Sequence, residues 1–219
     1  MFSTIGKKYL MGITGLLLVS FLLVHCSINA LIFINDGGQL FNKAAHFMGT
    51  NILIRTAEIG LFLGIILHIL DAFVLSISNR KARPVQYAKV NGNANSAWYS
   101  RSMMLLGSAV LFFLVIHLAH FWVKSRFVGL APIIIDGQEY ENLYIIMQEI
   151  FTNPIWVVLY VVSMIPLAYH LMHGFSSMFQ SLGFNHNKYS PIIKTVGLVY
   201  SVLLPIVFAA MPVFMYFVK

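Results

Sequence analysis

The chain is poor in charge, in cysteine and in acid. Only 10% of its 219 residues are Asp, Glu, Lys or Arg, where soluble domains carry roughly 25%. A water-facing globular domain is therefore excluded. The single cysteine, Cys26, allows no internal disulfide and no Cys-x-x-Cys-His motif, and reads as ordinary helix packing. Acidic side chains number 7 against 14 basic ones, a net charge of +7. That excess is no nucleic-acid signature, because the basic residues fall in short segments between long apolar runs. Between Thr152 and Lys188 the chain carries no charged residue at all.

What is present is apolar and aromatic: 59% hydrophobic residues, with 18 Phe, 10 Tyr and 11 Met, and a mean hydropathy of +0.81. Apolar runs of about 20 residues mark membrane-crossing helices. They fall at roughly 9–34, 52–78, 102–124, 154–179 and 193–218. Each must close its backbone hydrogen bonds internally, so each is a helix. The opening MFSTIGKKYLMGITG is superficially a signal peptide. Its apolar stretch continues to Ile34, past the roughly 7–15 residues of a signal core, and is read as a retained first helix. No internal repeat or low-complexity tract interrupts 1–219, which reads as one all-α transmembrane domain.

Lys and Arg set the orientation. With the N-terminus inside, the inner side holds Lys7, Lys8, Arg80, Lys81, Arg83, Lys89, Arg101, Lys188 and Lys194. The outer side holds Lys43, Arg55, Lys124, Arg126 and Lys219. The N-terminus is therefore expected in the cytoplasm.

Six histidines lie within the first four spans: His25, His68, His117, His120, His170 and His173. Ionisable groups inside a membrane are costly and face a bundle interior or a site. Depth sorts them. At 1.5 Å per residue, His25 is about 25 Å from Lys8 and His117 about 24 Å from Arg101, one level toward the outer face. His68 and His170 are each about 14 Å from the inner ends of their spans. Two levels with two histidines each, on four helices, suit two stacked haems with bis-histidine ligation in a four-helix bundle. Neutral imidazole binds iron without adding charge, and small residues let the macrocycle approach: Gly60, Gly64 and His68 share one face, as do His170, Gly174 and Ser177. A zinc site would gather its ligands at one level. Residues three apart on a helix differ in direction by about 60°, so His120 and His173 are read as neighbours that hydrogen-bond a propionate, water or backbone.

The stretches LVHCSIN (His25, Asn29), FNKAAHFM (41–48), LHILDAF (His68) and YHLMHGF (His170, Gly174) resemble the cytochrome b subunit of succinate dehydrogenase/fumarate reductase. The likeness is to the single-subunit, five-helix, dihaem type, and spans essentially the whole chain. It implies that His25 and His117 ligate a distal haem b and His68 and His170 a proximal one. It also implies an FAD flavoprotein and an iron–sulfur subunit docked on the cytoplasmic face of a bacterial inner membrane. Electrons would pass through the two haems to a quinone, typically menaquinone, near the distal haem. Some fumarate reductases of this family carry a proton-conducting glutamate two residues before the fourth histidine. Here that position is Ala168, so no compensating proton path is implied.

Secondary candidates each have a plainer reading. His46, Arg55 and Glu58 offer a donor and a proton path to a quinone at the distal level; equally, Arg55 and Glu58 pair at the interface and His46 caps a short helix. Arg101 is placed to reach proximal propionates, or anchors a helix start. Asp71 relays protons or faces headgroups, and His186 meets a partner subunit or water. Two other readings stay open at this point: a haem-b subunit of a formate dehydrogenase or hydrogenase, and a small proton or metal transporter.

Overall fold

The computed structural model describes residues 4–81 and 97–218; Arg83, Lys89 and Lys219, used above for orientation, lie outside the described residues. The apolar runs are helical throughout. Helix α1 spans Thr4–Asn29 and tightens into a 3-10 turn at Ala30–Phe33. The short α2, Gln39–Thr50, precedes α3 at Ile52–Lys81. A single turn, α4 (Trp98–Arg101), leads into α5 (Met103–His117). After the small sheet described below come α6 (Leu143–Phe151), α7 (Pro154–Ser181) and α8 (Ser190–Phe217). Five helical stretches are long and apolar enough to cross a membrane, at the five expected places with ends moved by a few residues. The first begins earlier than expected because its opening turns carry Lys7 and Lys8 and so lack the apolar signal.

Starts and stops follow local chemistry. Asn153 accepts the Ile155 N–H at 2.9 Å and Pro154 takes the first helical position of α7, where a missing N–H costs nothing. Pro166 lies inside the same helix, four residues before His170, and removes the bond to the carbonyl of residue 162.

The packing order decides what faces what. Helix α1 lies against α3 and α7, and α5 lies against α7 and only lightly against α3. The four therefore form a ring in the order α3, α1, α7, α5, with α1 opposite α5 and α3 opposite α7 on the diagonals. Helix α8 packs outside this ring, chiefly on α7. Gly197 permits that approach: a Cβ there would stand 2.6 Å from Cδ1 of Phe175.

Two features outside the regular α-helices were not expected. Pro132–Ile135 (β1) and Gln138–Glu141 (β2) pair as an antiparallel hairpin. Its turn residues Asp136 and Gly137 have φ of 52° and 76°, the left-handed pair that a tight Asp-Gly hairpin demands. The second is a change of helical geometry: beyond His117, Leu118–Trp122 and Lys124–Val128 are π-helical.

Helix α2 is tied down by Asn42, which has no exposed surface. Its Nδ2 donates to Asn142 Oδ1 at 3.1 Å and its Oδ1 accepts the Tyr144 N–H at 3.0 Å. Asn142 in turn caps α6 by accepting the Ile145 N–H at 3.1 Å. Part of the FNKAAHFM stretch is thus structural: Phe41 and Asn42 dock α2 onto the start of α6. Burial raises the Tyr144 phenol above its ordinary range, and the nearby Asp36 carboxylate adds to the shift.

Candidate functional site

The structure brings the intramembrane histidines together across the two diagonals. The His25 and His117 rings stand 5.7 Å apart between centroids, at 89°; His68 and His170 stand 6.4 Å apart at 65°. Metal–imidazole bonds are about 2 Å, so two rings on opposite sides of one ion have centroids about 6 Å apart. Both pairs have that spacing. Among the described residues no group of three or more His, Cys, Asp or Glu side chains is placed to hold a metal ion. A metal between either pair would therefore need its remaining positions filled by a non-protein ligand.

The walls are apolar and aromatic. Phe21 stacks on His25 at 5.1 Å, and Phe208 of α8 reaches within 5.8 Å of it. Phe113 and Phe121 flank His117 at 5.7 and 5.3 Å. Beside His170 the wall is glycine: a Cβ on Gly107 would stand 3.6 Å from Cε1 of the ring.

Each pair has one anchored ring and one unanchored. Thr14 Oγ1 donates to the Leu10 carbonyl at 2.8 Å and lies 3.1 Å from His68 Nδ1. With its proton given to Leu10, the hydroxyl accepts from Nδ1–H, which leaves the Nε2 lone pair of His68 free. Asn29 Nδ2 lies 3.3 Å from His25 Nδ1 while donating to the His25 carbonyl at 2.8 Å. Sequence reasoning did not single out Thr14; only helix rotation shows that it faces His68. By contrast, Nδ1 of His117 and Nδ1 of His170 are buried with no hydrogen-bond partner among the described residues.

The neighbouring histidines go elsewhere. His120 Nδ1 lies 3.0 Å from the hydroxyl of Tyr160, with the two rings parallel to within 4°; Tyr160 is 6% exposed and no sequence signal marked it. His173 is half-buried on α7. In the loop between α7 and α8, His186 Nδ1 accepts the Lys188 N–H at 3.2 Å.

His46, Arg55 and Glu58 do not form one cluster. His46 packs edge-on against Tyr140 at 5.1 Å and lines a cavity of about 180 Å³ with Leu130, Pro132, Glu139, Tyr140 and Glu141. Arg55 Nη1 donates to Glu58 Oε2 at 2.6 Å. Glu58 also accepts from Trp122 at 2.6 Å and from Arg126 at 3.2 Å. Asp71 is 7% exposed and its Oδ2 has no hydrogen-bond partner among the described residues. Arg101 ends α4, exposed, beside the aromatic group of Trp98, Tyr99 and Tyr169, in which Trp98 and Tyr169 stand 4.7 Å apart.

Comparison with known proteins gives one result. The family model described as succinate dehydrogenase/fumarate reductase transmembrane subunit matches residues 79–208, more than half of the chain. The matched stretch holds His117 and His170; His25 and His68 precede it. No curated protein and no solved structure gave a match.

Proposed function

The chain belongs to the succinate dehydrogenase/fumarate reductase transmembrane-subunit family, and on that premise we propose that it is the dihaem anchor linking a dicarboxylate-handling pair of subunits to membrane quinone. It is a multi-pass membrane protein, and the family is the membrane subunit of succinate dehydrogenase/fumarate reductase complexes. Membership also chooses against a formate dehydrogenase or hydrogenase subunit and against a transporter.

The observation that carries the dihaem reading is the pairing of histidines across both diagonals, 5.7 and 6.4 Å between ring centroids. The residues suit the group. Each pair presents a buried imidazole nitrogen without a partner, and an unsatisfied buried polar atom costs about 1–3 kcal/mol. Haem b supplies one-electron transfer when bound, and two such groups would connect the inner and outer halves of the bundle. His25 and His117 would hold the distal haem and His68 and His170 the proximal one. Thr14 fixes the His68 tautomer, and a hydrogen bond behind a ligand orients it. Phe21, Phe113, Phe121 and Phe208 wall the His25–His117 pair and would keep water from it.

The remaining steps follow the same reading. The predominance of Lys and Arg on the N-terminal side supports a cytoplasmic N-terminus in a bacterial inner membrane, and the flavoprotein and iron–sulfur partners would dock on that face. Menaquinone would then react at the outer end, near the distal pair. His46 is the donor best placed for its headgroup, since it lines a cavity of about 180 Å³. Arg101 remains the candidate for the proximal propionates. No dicarboxylate chemistry is assigned to this chain.

The test is the purified complex. Two low-spin haems per chain, with a flavoprotein co-purifying and succinate able to reduce the haems, are the expected result. A single haem, or none, overturns the reading.

A further inference from the structure

Glu58 stands in the outer part of α3, where α3 otherwise scarcely touches α5. Both of its oxygens are engaged. Oε1 accepts the Trp122 indole N–H at 2.6 Å, and Oε2 accepts from Arg126 at 3.2 Å and from Arg55 at 2.6 Å. Arg55 is on the same helix, but Trp122 and Arg126 come from the far strand of the contact. Trp122 closes the first π-helical stretch and Arg126 lies in the second.

The position of those stretches matters. π-helical geometry is rare, appears mostly as single turns and recurs at functional sites. Here two stretches follow one another, and the first opens at Leu118, the residue directly after His117. Widened turns change the direction of every side chain relative to an α-helix of the same sequence. Something must hold them in preference to the α form, and one carboxylate touches both. Trp122 is further seated on Phe62 of α3, with ring centroids 4.8 Å apart, and against Phe127 at 5.4 Å.

We propose that Glu58 is a positioning residue for the distal pair: by holding Trp122 and Arg126 it fixes the π-helical register of α5, and with it the direction in which His117 projects toward His25. The proposal rests on the dihaem reading. It also gives Glu58 a role other than quinone binding, since three donors already occupy its two oxygens.

The experiment is a redox titration of the assembled complex, following the spectrum and midpoint potential of each haem separately. Trp122→Phe keeps the ring contacts with Phe62 and Phe127 and removes only the donor. Glu58→Ala removes every acceptor, whereas Glu58→Gln keeps one for Trp122. The expected result is a shifted distal spectrum and potential in W122F and a larger shift in E58A. E58Q should lie closer to wild type than E58A, with the proximal haem unmoved throughout. An unmoved distal haem in W122F, or equal movement of both haems, overturns the proposal. Should E58A fail to assemble, W122F decides. A wild-type complex without two low-spin haems sinks the dihaem reading itself; two haems in wild type with W122F unchanged sinks only the role given to Glu58.

Discussion

The Thr14 hydroxyl of α1 lies 3.1 Å from Nδ1 of His68 on the neighbouring helix α3. On the proposed dihaem reading this hydrogen bond orients a ligand, and such a bond is worth roughly 10–100-fold in metal affinity. Thr14→Val keeps the shape and removes the acceptor. It should weaken retention of the proximal haem by about that factor, measured as haem per chain on prolonged detergent washing, while Thr14→Ser holds it. Equal retention in the Val variant would show that the tautomer is set by something else.

The histidines within each His-x-x-His pair should behave unequally. His117→Ala and His170→Ala are each expected to lose one haem from the purified complex. His120→Ala should keep both, since its ring is committed to Tyr160 at 3.0 Å, and His173→Ala should keep both as well. Pyridine haemochrome stoichiometry reads this directly; loss of a haem in His120→Ala with retention in His117→Ala would reverse the assignment.

Asn42 should matter for stability more than any exposed residue of its helix. Asn42→Ala leaves the Tyr144 N–H without its acceptor, at a cost of about 1–3 kcal/mol. Phe47→Ala, on the exposed face at 58% accessibility, should cost far less. Thermal unfolding in one detergent compares them, and similar midpoints would show that α2 is not held through Asn42.

The hairpin should loosen at alkaline pH. Lys43 donates to Asp136 at 2.5 Å, and that bond holds its ammonium above the ordinary lysine range. A raised value in the folded state means the contribution is complete below the ordinary lysine range. It is lost as pH climbs through the raised value. The pair is solvent-exposed and salt-screened, so the effect is local. Protease nicking at Asp136–Gly137 should rise at high pH in wild type and be pH-independent in Asp136→Asn. Identical profiles for the two proteins would remove the ion pair from the account.

Depth along a helix is readable from sequence because the rise per residue is fixed and charged residues mark where each span begins. That is why depth alone pairs His25 with His117 and His68 with His170. Rotation is harder. Which face of α1 carries Thr14 toward His68, and that His120 turns to Tyr160, depends on how ridges of neighbouring helices interlock, and no local pattern encodes it. The π-helical stretches after His117 leave no local sequence mark, and the carboxylate that Trp122 and Arg126 contact, Glu58, lies some sixty positions earlier. The hairpin is a different case. Its Asp136-Gly137 turn is a strong local signal, but the flanking strands are only four residues each and carry little pattern of their own.

The diagonal arrangement also orders the birth of the molecule. The first hairpin, α1 with α3, carries His25 and His68, one member of each pair; the hairpin α5 with α7 carries His117 and His170, the other members. Neither half of the chain can complete a pair by itself. As the protein emerges N-terminus first, the His25–His117 pair becomes available once α5 is inserted, whereas His68 must wait for α7. Assembly thus has a built-in sequence, with the His25–His117 pair completed before the His68–His170 pair and both requiring the two halves of the chain to find each other.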